Sequence, residues 1–284
     1  MQPQPAVVMH QLAPGPSVHR RQLREVLVGP AFRQTSQTFA MGSQWPREHR
    51  FYSTLFRRPD SALVAETVRQ ATILIAHTMY DVPLASSFLM PSMSIRTWLP
   101  ADPWDQDQLL VRASTTRVAR SGNTVSGLQL EVSVHAGEQT LGAGVGNARI
   151  VSAEAYARMR RGRPRKPSMA SGMPPGLKQP LLQWRTGTEA MITVDDTDPV
   201  FFDHPLDHVP GMLLLEAARQ GVQQLLGSSA VDLTTCELTF HRIAEFEPQL
   251  SLRVAATTTS SVEFAVWQND EVCVTGTAVA GSKR

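Results

Sequence analysis

Residues 201 to 220 read FFDHPLDHVPGMLLLEAARQ. Asp203, His204, Asp207 and His208 crowd into six positions, and Pro210-Gly211 then opens one of the most apolar runs in the chain. Proline followed by glycine is a turn that can deliver a helix start, and MLLLEAA is apolar at consecutive positions rather than along one stripe. Such a helix is buried on most sides. Glu216 and Arg219 nevertheless sit inside it. A buried charge costs several kcal/mol unless it is paired, so the two are either an internal i,i+3 ion pair or part of a site.

The same pattern occurs earlier. RFYSTLFRRPDSALVAETVRQATILIAHTMY, from 50 to 80, carries an aromatic pair and a Glu-x-x-Arg-Gln. Phe51 aligns with Phe201, Glu66 with Glu216, Arg69 with Arg219 and Gln70 with Gln220, all at the same offset of 150 positions. A constant offset over a gapless span argues for duplication of one folding unit.

The surroundings repeat as well. A β-type run precedes each helix, TSQTFAMGSQW in the first half and EAMITVDDT in the second. Four strand-like runs follow each: SSFLMPSMSIRTWL, QLLVRASTTRVA, TVSGLQLEVSVHAG and QTLGAGVGNARIV, then LTTCELTFHRIA, QLSLRVAATTT, SVEFAVWQ and EVCVTGTAVA. An antiparallel meander needs its apolar face covered, and the one long helix of each half is the available cover. The expected class is α+β, a tandem hotdog: two antiparallel sheets, each wrapped round a central helix, paired as a pseudo-dimer. The expected division is a disordered tail over 1–18, a first hotdog over 19–160, a basic Pro/Gly-rich linker over 161–180 and a second hotdog over 181–284.

With 284 residues, 42% hydrophobic content and a net charge of +2, the chain has the composition of an ordinary globular protein. No run has the length of a membrane span and the N-terminus lacks the order of a secretory signal, so the expected location is the cytoplasm. Cys236 and Cys273 lack CxxC partners and read as small buried hydrophobes. There is no HExxH and no phosphate-cradling glycine loop, so neither a metal nor a nucleotide cofactor is expected. RMRRGRPRKP, residues 158 to 167, is a solvated linker or a strip that docks an acidic carrier protein; without interleaved aromatics it does not read as a nucleic-acid site.

HPLDHVPGMLLLEAARQ resembles the hotdog dehydratases of fatty-acid synthesis. The tandem pair LVAETVRQA and FFDHPLDHVPGMLLLEAARQ, with SQWPREHRFY, VPLASSFLM and AYARMRRG, is more closely similar to the A-factor synthase (AfsA-type) family. That resemblance covers the chain after its N-terminal tail. It implies an acyltransferase that joins a β-ketoacyl thioester, on acyl carrier protein or coenzyme A, to dihydroxyacetone phosphate in making a γ-butyrolactone or butenolide signal. A dehydratase or thioesterase of the same fold, and a non-catalytic acyl-binding regulatory module, remain alternatives. A homo-oligomer of the double hotdog is possible for this architecture.

The dehydratase-like pattern implies a composite pocket in which His204 of the second half faces Glu66 of the first, and Glu216 faces the loop of the first half. Glu66, His204 and Glu216 are the expected catalytic residues. Arg69 and Arg219 are candidates for the phosphate or the β-keto group, with Gln70 and Gln220 beside them. The backbone N–H groups of Gly211 and Met212 are candidates for an oxyanion site. At the 150 offset Thr54 stands opposite His204, and Asp60-Ser61 opposite Pro210-Gly211. Only one complete pocket is therefore expected, unless His49 or Tyr52 supplies a base in the other. Asp207 and His208 read as orienting the loop, and Asp203 either as a turn residue or as the group that holds the His204 tautomer.

Overall fold

Each strand-like run of the sequence forms a strand. The computed structural model describes residues 11–46, 49, 51–52, 61–98, 109–163, 179–228 and 231–282. The first half runs β1 (Phe32–Arg33), β2 (Thr38–Ser43), α1 (Ser61–Met79), β3 (Ser87–Thr97), β4 (Leu109–Ser121), β5 (Thr124–Ala136), β6 (Gln139–Val151) and α2 (Ala153–Met159). The second repeats it with β7 (Leu182–Trp184), β8 (Glu189–Ile192), α3 (Gly211–Leu225), β9 (Val231–Phe240), β10 (Ser251–Ala256), β11 (Ser261–Gln268) and β12 (Glu271–Ser282). The two expected sheets join edge to edge into one 12-stranded antiparallel sheet, ordered β1-β2-β4-β5-β6-β3-β9-β12-β11-β10-β8-β7. The order reads the same from both ends once each strand is replaced by its repeat. The joint is β3 against β9, with Ile95 opposite Cys236. The aligned residues Phe51 and Phe201 meet edge to face, centroids 5.1 Å apart, and so mark the pseudo-two-fold axis.

Both long helices lie on one side of the sheet, as an apolar sequence without a stripe requires. In α1 every residue from Ser61 to His77 is buried except Arg69. Such close packing needs room, and the two halves find it differently. In β6 the alternate glycines supply it: a Cβ on Gly144 would lie 2.4 Å from Ser94 O and 2.9 Å from Val68 Cγ2, and one on Gly146 would lie 2.3 Å from Thr72 Oγ1. In the second half the helix gives way instead, because a Cβ on Gly221 of α3 would meet Leu252 at 2.7 Å. Cys236 and Cys273 are free and buried, and burial, with Glu237 nearby, pushes the Cys236 thiol up to about 12.

Two expectations about the chain outside the repeats need correction. Residues 11–18 are not a disordered tail: Gly15–Val18 form a 3-10 turn, and Ala13, Ser17 and Val18 are buried. The apolar residues there pay for order by packing against α1 and the bridge at Val28. Nor is the basic run uniformly a solvated strip. Arg160 is only 2% exposed and faces inward, while residues 164–178, with Arg165 and Lys166, lie outside the described residues. No described helix is long and apolar enough to cross a membrane.

The packing of β6 on α1 predicts that Gly144→Ala lowers stability by about 1–3 kcal/mol, the usual cost of overpacking, because the Cβ would press on a backbone carbonyl that cannot rotate away. Thermal or urea unfolding measures this, and a variant as stable as the parent would show that β3 and α1 can both shift away from β6 at no cost.

Candidate active site

A cavity of about 830 Å³ lies where the two halves meet. Arg69 and Thr72 of α1, the start of β3, the start of α3, the 200–210 loop and the end of β9 all contribute to its lining. Its middle is apolar, with Phe88, Met90, Met212, Leu215, Leu238 and Phe240. One end is polar and holds His19, Arg20, Arg69 and His204.

His204 is set by its neighbour. Its Nδ1 lies 2.5 Å from Asp203 Oδ1, which places the proton on Nδ1 and the lone pair of the neutral ring on Nε2. Asp203 is itself buried. It accepts the Arg21 backbone N–H at Oδ2, 2.8 Å away, and has Arg20 Nη1 at 3.6 Å from Oδ1. Burial works against its ionisation, but the His204 bond and the Arg20 charge outweigh it and hold its pKa below the ordinary value. Asp203 is thus the orienting partner of His204 rather than a turn residue alone.

Glu66 does not reach the cavity directly. It is fully buried and grasped by Arg20 (Nε to Oε1 3.0 Å, Nη2 to Oε1 2.7 Å), Arg69 (Nε to Oε2 2.8 Å, Nη2 to Oε1 2.8 Å) and Gln70 (Nε2 to Oε1 2.7 Å). Burial alone would raise its pKa, but the two guanidinium groups and their donated hydrogen bonds pull it down to about 2. Arg20 also donates to Val200 O at 2.7 Å. The composite arrangement across the halves exists, with the correction that Arg20 and Asp203 stand between Glu66 and His204. Arg20 carried no sequence signal, since its partner lies 46 positions away and outside any helical or strand period.

Glu216 and Arg219 belong elsewhere. Arg219 donates to both Glu216 oxygens, at 2.8 and 2.7 Å, and its Nη1 is 4.0 Å from Asp232. Asp232, in β9, accepts from Ser61 N at 2.9 Å and from Ser61 Oγ at 2.8 Å. The N-terminus of α1 is therefore stoppered by a carboxylate of the other half. The N-terminus of α3 is open by contrast: Gly211 and Met212 line the cavity, and the first N–H groups of a helix have no intrahelical acceptor. Neither Glu216 nor Arg219 lines this cavity; they form the internal i,i+3 ion pair, beside Asp232. The aligned loop positions Thr54 and Asp60 lie outside the described residues.

Gln70 and Gln220 have matching structural tasks. Gln70 accepts from Leu27 N at 2.8 Å and donates to Glu25 O at 2.7 Å; Gln220 accepts from Leu181 N at 2.8 Å and donates to Gln179 O at 3.0 Å. Each clasps the segment that leads into its half, and neither lines the cavity. His49 also points away from the cavity. Its Nε2 is 3.1 Å from Glu25 Oε1 and its Nδ1 accepts from Phe51 N at 3.2 Å. Two more residues that pattern reading missed anchor the loop that carries His204. Arg160 donates to Asp207 Oδ2 at 2.9 Å and Asp207 O at 2.8 Å, and to both Glu245 oxygens at 2.6 and 2.7 Å. Tyr156 donates to Asp207 Oδ1 at 2.7 Å. The described residues place no group of three or more metal-ligating side chains together.

Removing Arg20 leaves Glu66 buried with less compensation, so Arg20→Met is expected to cost about 3 kcal/mol. The pH dependence follows from the depressed carboxyl. The unfolded carboxyl titrates near its ordinary value of about 4.3, so the contribution of Glu66 is complete above that pH and is lost as pH falls toward 2. Acid titration of stability should show a loss over this window in the parent, and a smaller loss in Arg20→Met, whose Glu66 carboxyl titrates nearer its unfolded value. Coincident acid curves would remove Arg20 from the account.

A model of the family described as A-factor biosynthesis hotdog domain matches residues 1–152 and 180–280. A 2-oxo-3-(phosphooxy)propyl 3-oxoalkanoate synthase of Streptomyces virginiae is 31% identical over 259 residues, 84% of this chain and 85% of that protein. One from Streptomyces griseus is 29% identical over 250 residues, 81% of this chain and 80% of the relative. Among solved structures, an acyl-ACP thioesterase from Bacteroides thetaiotaomicron superposes with a TM-score of 0.55 at 12% identity, covering 86% of this chain and 98% of the other. The 12:0-ACP thioesterase of Umbellularia californica does so with 0.54 at 11%, covering 88% and 100%. At such identities these two show the fold alone. The repeated helix motif, the joined sheets and the match over nearly the whole chain agree: this protein belongs to the A-factor biosynthesis hotdog family.

Proposed function

We propose that this protein transfers a 3-oxoacyl group from a thioester to the hydroxyl of dihydroxyacetone phosphate, giving a 2-oxo-3-(phosphooxy)propyl 3-oxoalkanoate, the ester named by its relatives. The observation that carries this reading is the single cavity holding the His204–Asp203 dyad, an arginine and an open helix N-terminus. His204 Nε2 takes the proton of the acceptor hydroxyl as its oxygen attacks the thioester carbonyl. Charge that collects on the carbonyl oxygen is met by the N–H groups of Gly211 and Met212 at the start of α3. Collapse of the tetrahedral species breaks the C–S bond, and the departing sulfur takes the proton from His204. One ester and one thiol result.

Arg69 replaces Arg219 as the candidate for the acceptor's phosphate. It lines the cavity, and Glu66 and Val18 O occupy its Nε and Nη2, which leaves Nη1 on the accessible side. Glu66 then acts at one remove, by fixing Arg69 and Arg20, and is a positioning residue. A thioesterase would use the same dyad on water, and a binding module would need no dyad.

The reaction is tested by incubating the protein with a 3-oxoacyl thioester and dihydroxyacetone phosphate and weighing the products. Ester is expected; free 3-oxo acid as the main product, at a rate indifferent to acceptor, would replace this reading with hydrolysis. His204→Ala should lower kcat by about 100-fold or more with an unchanged unfolding midpoint. Arg69→Ala should raise KM for dihydroxyacetone phosphate more than for unphosphorylated dihydroxyacetone. Arg219→Ala should instead lower thermal stability and leave that discrimination as it is, and the reverse pattern between the two arginines would return Arg219 to the site.

A further inference from the structure

The cavity has a second cationic end, on the far side of the sheet. β3 pairs with β9 only from Ser92 onward, where Ser92 lies opposite Thr239. The earlier residues of β3 stay with β6 alone, Leu89 opposite Arg149, and Met90 and Pro91 fall in a register shift. The two central strands therefore part at Ser92, and a gap opens between the start of β3 and segment 241–244. Residues of both faces of the sheet line the cavity beside it. Ala148, on the face of β6 that carries Gly144 and Gly146 toward α1, lines the cavity, and so does Arg149, which points to the opposite face.

The arginines lining the cavity differ in their partners. Arg20 and Arg69 are held by Glu66, and Arg242 by Glu271. Arg149 makes no ion pair or hydrogen bond through its side chain with any described residue. Arg149 is exposed, as are His241 and Arg242, which line the same cavity on the other side of the gap from β3. An unneutralised guanidinium suits a phosphate, which it meets with two parallel donors. The proposed reaction brings two phosphates to one cavity: the monoester of the acceptor, and the phosphate at the end of the long amide arm that both coenzyme A and an acyl carrier protein use to present a thioester.

We propose that Arg149, at the rim of the gap between β3 and segment 241–244, binds a substrate phosphate, and that this is the phosphate of the phosphopantetheine arm. The arm would then thread the gap and set its thioester inside, at His204 and the start of α3. This assignment rests on the acyl-transfer reading for the identity of the substrate and on the parted strands for the path.

The test compares 3-oxoacyl phosphopantetheine with 3-oxoacyl pantetheine, each with dihydroxyacetone phosphate and with dihydroxyacetone. Calorimetric binding of unacylated phosphopantetheine and pantetheine is measured beside it, since that needs no turnover. The parent is expected to prefer the phosphorylated thioester, and Arg149→Met to shrink that preference by about fivefold, the size an exposed ion pair supports. Arg149→Lys should restore part of it, the effect should fade with added salt, and the unfolding midpoint should not move. If the preference that shrinks is the one for dihydroxyacetone phosphate over dihydroxyacetone, Arg149 is a phosphate site for the acceptor, and the path through the gap is lost. If Arg149→Met leaves both preferences and both binding constants at parental values, the proposal is overturned even where ester forms normally. Should the parent form no ester from any pair, the acyl-transfer reading fails, and the binding comparison alone still decides Arg149.

Discussion

A carboxylate without water is the constraint round which this molecule is arranged. Glu66 lies in the middle of a helix buried on nearly every side, where an unpaired ionised carboxyl would cost several kcal/mol. Its compensation comes from three directions: Arg69 one turn along the helix, Gln70 beside it and Arg20 from the N-terminal segment. Satisfying Glu66 therefore pins residues 11–27 onto α1. Because the same Arg20 also reaches Val200 O and Asp203, it draws the loop of the second half onto the first. Through Asp203 the arrangement ends at His204, so one buried charge orders the segment, the loop and the imidazole together.

Duplication made two potential sites, and the difference between them is electrostatic. The starts of both helices carry unpaired N–H groups that favour a negative partner. At α1 that partner is internal, the Asp232 carboxylate held between Ser61 and the Glu216–Arg219 pair. At α3 the helix start faces the cavity, and Gly211 leaves its backbone uncovered except by the ring of Phe240, 3.1 Å from where a Cβ would stand. A protein carboxylate meets the first helix start, and the second faces the cavity. The Glu-x-x-Arg-Gln motif thus does the same structural work twice, holding a buried carboxylate and clasping the incoming segment, while only the first copy has an arginine on the cavity wall.

The loop that carries His204 is held at both ends. Arg160, at the end of the first half, bridges Asp207 and Glu245 and is buried while doing so. Its hydrogen bonds to both carboxylates hold its charge more firmly than in water, and Tyr156 closes the other side of Asp207. Such multiple anchoring fixes the loop, and with it the place of the His204 imidazole on the cavity wall. It also joins the end of one repeat to the site of the other, so the fused chain has a means of alignment that does not depend on the connecting segment.

Much of the architecture was legible in the sequence, for a local reason. A constant offset of 150 exposed the duplication, alternation and turn residues located the long strands, and an apolar run without a stripe identified each helix as a covered one. Those signals report which faces of one element meet water, and that is decided within a few residues. His204, Arg69 and the start of α3 were likewise visible, because motif and repeat mark them. The partners that come from distant elements were not. Arg20 for Glu66, Asp232 for Ser61 and Arg160 for Asp207 come from elements 46, 171 and 47 positions away, with no periodicity to connect them. Folding brought them within hydrogen-bond distance, Arg20 and Glu66 inside the first half and the other two pairs across the joined halves, and it set Arg69 rather than Arg219 on the cavity wall.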